Sequence, residues 1–212
     1  MKATYLTHMG DDLMVANAAR TSLGKHHTEF TEADAKLIRY LARHKHNNPF
    51  FHPQIQLHIK APIFVVRQWR THQVGFARSE VSRRYVDSEP EFYMPEVWRE
   101  RAEGVKQGSK DAGVENQGAA EIAAAWVSIE AKQNYQNLLA LGVAPEQARM
   151  VLPQSMYTEW VETGSLYAYA HLCGLRLAAD AQDETRQLAQ QVAAIIEPLF
   201  PESWAALMEA IV

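Results

Sequence analysis

Residues 67–87, RQWRTHQVGFARSEVSRRYVD, hold five arginines and one histidine, with Glu80 the single carboxylate before Asp87. A guanidinium is a planar fork that meets phosphate oxygens two at a time, and Ser82, just ahead of Arg83 and Arg84, adds a neutral donor. The same charge density describes a solvated face, so residue types leave two readings open, surface and anion site. Glu80 has two readings as well, a salt-bridge partner or a hydrogen-bonding group for a ligand. Arg176 shares one helical stripe with Tyr169, Leu172 and Cys173. If buried there, its guanidinium needs a partner, unless its head reaches water. Arg149 stands just before a proline-broken helix end and raises the same question. Convergence of these three segments would make a pocket for an anionic ligand, and the sequence leaves that convergence open.

The elements that must position these residues are legible in part. Thr31 and Asp34 form a capping-box pattern, and Leu37, Ile38 and Leu41 follow at helical spacing, which predicts a helix over 32–44. The prolines and asparagines of NNPFFHP end it. In QIQLHIKAP, Ile55, Leu57, Ile59 and Ala61 alternate with polar residues and predict a half-buried strand. Pro62 then opens a helix through IFVVRQWRTH that turns Arg67 and Gln68 inward. Residues 86–118 are acidic and rich in Gly and Pro, which predicts a long, partly mobile excursion whose Tyr93 and Trp98 dock on the core.

From Ala119 onward nearly everything reads as helix. Ile122, Trp126 and Ile129 form one stripe, Gly142 is a C′ stop, and Pro145 opens a short helix through Arg149. Ser165 caps a helix running to Leu177, and Leu188, Val192 and Ile195 mark another. The fold class is therefore α+β: a single domain over 1–212 with a modest sheet, drawn largely from the N-terminal half and flanked by helices.

Bulk properties narrow the function classes. With 47% hydrophobic and 22% charged residues in 212, the chain is an ordinary globular one, and its net charge of −4 disfavours general nucleic-acid binding. The N-terminus lacks an apolar leader core, and no run approaches the roughly 18 apolar residues of a membrane span. The expected location is the cytoplasm. One cysteine excludes an intrachain disulfide. Cys173 is either a nucleophile or a core residue, and its apolar helical setting favours the core.

Several ordered blocks resemble the flavin-dependent thymidylate synthases: VANAARTS, HNNPFFHPQIQLHIKAPIFVVRQW, SEVSRRY, ARMVLPQSMYTEW and LRLAADAQDETR. They span most of the chain. The family signature is Arg-His-Arg followed by a serine. Here it reads Thr71-His72-Gln73, then eight residues, then Ser82, one residue more than the signature. In the NNPFFH block, Asn48 occupies the place of a small hydroxyl residue, and Phe51 that of a glutamate. Arg70 and Arg78 lie close to the altered loop and could replace its charge.

The resemblance implies a helix-flanked sheet assembled as a homotetramer, with each site built by more than one subunit. It implies conversion of dUMP to dTMP, with methylenetetrahydrofolate as carbon donor, reduced FAD as hydride carrier and NADPH as reductant. By position, Gln68, Glu80, Ser82, Arg83, Arg84 and Arg149 would contact dUMP, and Arg176 would face the uracil ring as the catalytic arginine. FAD would meet Asn48, Thr71, His72, Gln73, Ser165 and His171, with Glu80 nearby. No metal and no protein nucleophile is implied. Two other readings stay open: a related flavoenzyme modifying C5 of a pyrimidine nucleotide with a different donor or product, and a nucleotide-binding protein without catalysis.

Overall fold

The computed structural model describes residues 1–104 and 108–211. Strand β1 (Lys2–Met9) leads into helices α1 (Asp12–Arg20) and α2 (Glu32–Arg43). A 3-10 turn at Asn48–Phe51 delivers the chain into β2 (Gln54–Pro62), α3 (Ile63–Trp69) and β3 (Phe76–Glu80). Strands β4 (Arg99–Arg101) and β5 (Ser109–Gly113) pair apart from the main sheet. Helices α4 (Gln117–Ala140) and α5 (Pro145–Ala148) precede β6 (Tyr157–Ser165), and α6 (Leu166–Arg176), α7 (Asp183–Ile196) and α8 (Pro201–Ile211) follow.

The main sheet runs β1-β2-β6-β3, antiparallel throughout. Strand β2 alternates as its sequence demands: Ile55, Leu57, Ile59 and Ala61 are all fully buried. They join one core with Leu172 and Cys173 of α6 and Leu188 and Val192 of α7. Each large aliphatic side chain removed from water there contributes roughly 1.5–3 kcal/mol. The Thr31–Asp34 capping box forms and starts α2, Pro62 precedes α3, and Ser165 Oγ accepts from Ala168 N at 3.1 Å to cap α6. Gly142 terminates α4 at φ +82°, a conformation that glycine reaches without steric cost.

Two expectations need correction, the helical reading beyond Ala119 and the inward turn of Arg67. The stretch beyond Ala119 is not nearly all helix, because β6 lies inside the sheet between β2 and β3. Its core face carries Thr158, Trp160, Glu162 and Gly164, so polar residues occupy buried positions and mask the alternation. Arg67 points outward, since helical rotation turns Val65, Val66 and Trp69 to the core instead. The Ile122–Trp126–Ile129 stripe does not face this chain's core: each of the three is 61% exposed, while Ala131 and Tyr135 are buried. The 86–118 stretch holds the β4–β5 pair, and its residues 105–107 lie outside the described ones. Its Tyr93 does dock: Tyr93 N donates to Ser155 O at 2.8 Å, and its ring lies 5.7 Å from that of Phe64.

Candidate functional site

One cavity of about 650 Å³ gathers Glu80, Ser82, Arg83, Arg84 and Arg149 around an apolar floor that includes Ile63 and Met156. Strand β3 ends at Glu80 and aims the SRRY segment over this floor, while the turn after α5 brings Arg149 from the far side. Ser82 Oγ accepts from Arg84 N at 3.3 Å and from Arg84 Nε at 3.4 Å, which folds the segment on itself. Arg83 is tied to the carbonyl of Ser88 and lies over the Tyr135 ring at 5.8 Å. Glu80 is already engaged: Arg70 Nη2 lies 2.7 Å from Oε2, and Thr158 Oγ1 donates to Oε1 at 2.7 Å. Three arginines meet two acids there, Glu146 and the already paired Glu80, and this excess of guanidinium suits an anion such as phosphate.

A second cluster surrounds Arg176 at the end of α6. Its Nε donates to His72 Nε2 at 3.1 Å, and its Nη2 reaches Thr71 Oγ1 at 3.1 Å and Gln68 O at 3.3 Å. The guanidinium is thus partnered, which answers the question raised by its apolar stripe. His72 is held down to about 4 by burial first, then by the positive charge of Arg176 and by His171 and Arg78. At neutral pH the imidazole is neutral. Gln68 turns its side chain away from the arginine cavity: its Nε2 bonds Gln182 Oε1, and Thr185 Oγ1 donates to its Oε1 at 3.4 Å.

The expected flavin contacts spread further. His72 and His171 lie 6.1 Å apart, and Tyr167 stacks near-parallel to His171 at 6.2 Å with Phe51 beyond it at 4.8 Å. These rings form a row from the end of α6 to the turn that carries Asn48. Asn48 itself lines a cavity of about 970 Å³ with Asn17, His26, His27 and His52. Gln73 is exposed, whereas Ser165 is 1% exposed and occupied as a helix cap. A flavin offers a planar ring and carbonyl acceptors. The ring row suits the first, and Arg78 Nη2, buried with no hydrogen-bond partner among the described residues, suits the second. On these two observations the residues present fit a flavin.

Cys173 is fully buried, and burial pushes its thiol well above the usual range, so it is a core residue. Sequence reasoning missed Glu162, Tyr167 and the structural reach of Arg78. The signal for Glu162 was its place two residues after Trp160 in a strand pattern. Tyr167 falls four residues before His171, on the same helix face.

Comparison with known proteins gives one consistent result. The family model for the thymidylate synthase complementing protein matches residues 4–202. A flavin-dependent thymidylate synthase of Thermus thermophilus is 43% identical over 201 residues, which cover 95% of this chain and 73% of that protein. One of Thermosipho melanesiensis is 39% identical over 196 residues, with 91% and 84% covered. Among solved structures, a UMP/dUMP methylase of Streptomyces cacaoi bound with 5-Br dUMP superposes with a TM-score of 0.87 at 28% identity, covering 98% of this chain and 94% of that one. Among the described residues, no helix is long and apolar enough to cross a membrane.

Proposed function

This chain belongs to the thymidylate synthase complementing protein family, the flavin-dependent thymidylate synthases, and on that premise we propose that it converts dUMP to dTMP. The carbon donor is methylenetetrahydrofolate, the hydride carrier FAD and the reductant NADPH. The observation that carries the reading is the joining of Ser82, Arg83, Arg84 and Arg149, from separate segments, in one cavity. Those groups hold the phosphate of dUMP, with Glu80 oriented beside it by Arg70 and Thr158.

Arg176 meets the uracil ring, where its positive charge stabilises the negative charge that grows during attack through C5. Neutral His72 keeps the Arg176 side chain in place without competing for that charge. Asn48, Thr71, His72, Gln73 and His171, with Glu80, contact the flavin, Ser165 serves them by capping α6, and Gln68 contacts the nucleotide. When bound, the flavin supplies the hydride that turns the transferred methylene into a methyl group, and NADPH renews it.

The two clusters in one chain share no lining residue, and α4 leaves an apolar stripe exposed. Both features support a homotetramer in which the arginine cavity of one subunit meets the Arg176 cluster of a neighbour. A buried reduced thiol in Cys173 is in keeping with the cytoplasm.

The test is product formation from dUMP with labelled methylenetetrahydrofolate, beside a flavin titration. We expect label in dTMP, FAD-dependent absorbance changes, and NADPH oxidation that speeds up with dUMP. Loss of all three would remove the reading. The fold's likeness to a UMP/dUMP methylase favours one second reading, a pyrimidine C5 modification with another product, and the same assay run with UMP separates the two.

A further inference from the structure

Glu162 is fully buried on the core face of the central strand β6, an unusual place for a carboxylate. It is not idle there. Trp69 Nε1 from α3 donates to both its oxygens at 3.0 and 3.2 Å, Trp160 Nε1 lies 3.4 Å from Oε2, and Arg78 Nε binds the same oxygen. Donors from three elements therefore fix one rotamer.

Arg78 sits directly opposite Glu162 in the β3–β6 register, so its guanidinium needs no reach to find the carboxylate. Its planar head lies 4.5 Å from the Phe76 ring centroid, which leaves it one orientation. On its far side Nη1 donates to the backbone carbonyl of His72 at 2.6 Å. The other end of the same loop is held as well. Gly75, at φ +81°, accepts from Ser165 N at 3.1 Å, and a Cβ there would meet Ala168 Cβ at 2.9 Å. His72 then presents its ring to Arg176.

We propose that the buried Arg78–Glu162 pair is a positioning device for the loop 71–75, setting His72 against Arg176 in a chain that has no arginine at 71 or 73. A buried ion pair is a poor stabiliser, since well-packed apolar residues of similar volume often serve as well or better. Its value lies in selecting one arrangement. The guanidinium fork bridges carboxylate and carbonyl at once, which an ammonium on a flexible stem does not reproduce. The effect on turnover rests on the function proposed above, and the effect on His72 does not.

The experiment follows His72 by NMR in the isotopically labelled full-length protein, assigned with His72→Gln, and pairs it with flavin affinity and kcat. The charged and titratable groups facing the ring are Arg176, His171 and Arg78. In the wild type His72 should titrate near 4. Arg78→Lys keeps the charge beside Glu162 but loses the bridge. It should move His72 toward its ordinary 6.5, weaken flavin binding and lower kcat. The expected loss of kcat is on the order of 100-fold, as for a misplacement of about 1 Å.

A pair that served folding alone would lower the melting temperature and leave these readouts in place. Wild-type His72 titrating at its ordinary value overturns the proposal, as does Arg78→Lys with unchanged His72 titration and unchanged flavin affinity. Should Arg78→Lys not fold, the apolar double variant Arg78→Met/Glu162→Leu carries the same readouts with the same two outcomes. Failure of the wild type to bind FAD counts against the proposed function, while the titration still decides the positioning role.

Discussion

Arg176 Nε donates to His72 Nε2 across 3.1 Å, so the imidazole keeps its proton on Nδ1 and stays neutral. Between them, a helix end and a loop tip share one hydrogen bond at the centre of the candidate site. Its consequence is a pH dependence with a definite sign. The folded value of about 4 lies below the ordinary 6.5, so the unfolded chain binds more protons between those values. Stability from this contact is full above about pH 6.5 and is lost as pH falls toward 4. Denaturant titrations across that range should show a steeper loss in the wild type than in His72→Gln. Equal slopes would mean that His72 is solvated. At neutral pH the substitution should cost about 1 kcal/mol, the usual net value of one hydrogen bond.

The arginines of the cavity and Arg176 should fail in different ways. On the proposed function, Arg84→Ala or Arg149→Ala should remove one charge-assisted bond to phosphate, which is worth roughly 1.5–3 kcal/mol, or about ten- to a hundredfold in dUMP affinity. Arg176→Ala should lower turnover at saturating dUMP by more than it weakens dUMP binding, because its charge matters most in the transition state. Arg176→Lys should recover little. Three bonds leave the guanidinium, to His72, Thr71 and Gln68, and an ammonium cannot span them. Normal turnover in Arg176→Ala beside its loss in Arg84→Ala would reverse the two roles.

Cys173→Ala should keep most of its turnover. The thiol is fully buried and its Sγ lies 3.8 Å from Ala189 O, far from reach of a substrate. Burial holds it protonated, and a thiol is a poor nucleophile. The expected cost is about 1 kcal/mol of packing, read from denaturant midpoints. A folded, flavin-loaded Cys173→Ala without turnover would instead mark covalent catalysis.

The fold was legible wherever one face of an element is apolar and the other polar. Strand β2 alternates cleanly, and α2 carries its capping box and apolar stripe, so both follow from the sequence. Strand β6 did not, because Glu162 and Thr158 sit on its core face, where their bonds are made by side chains distant in sequence. Ion pairing hid a strand that hydrophobic pattern would have shown. For the site, Ser82, Arg83 and Arg84 stand together in the sequence, but their meeting with Arg149 in one cavity comes only from the fold. Nothing local reveals that Gln68 turns toward Gln182 and Thr185, or that Arg78 reaches His72. Those contacts depend on how α3, β3 and α7 meet.

The last prediction concerns α4. Over its 24 residues only Ala131 and Tyr135 are buried, while Ile122, Trp126 and Ile129 recur at helical spacing with 61% of each exposed. A stripe of this kind costs free energy in water and is usually covered by a partner. The proposed homotetramer would cover it, and an interface there would also close the site between subunits. Trp126→Glu places a charge at the centre of the stripe, where burial against a neighbour is expensive. Its own fold should be unaffected, since the side chain packs little within the chain. Light scattering should therefore report a smaller assembly with unchanged far-UV circular dichroism, and flavin affinity should fall with the mass. A Trp126→Glu tetramer that binds FAD as the wild type does would show that another face makes the interface. Smaller particles with full flavin affinity would instead show that each subunit completes its flavin site alone, and the separation of Arg176 from the arginine cavity would then need closure within one chain.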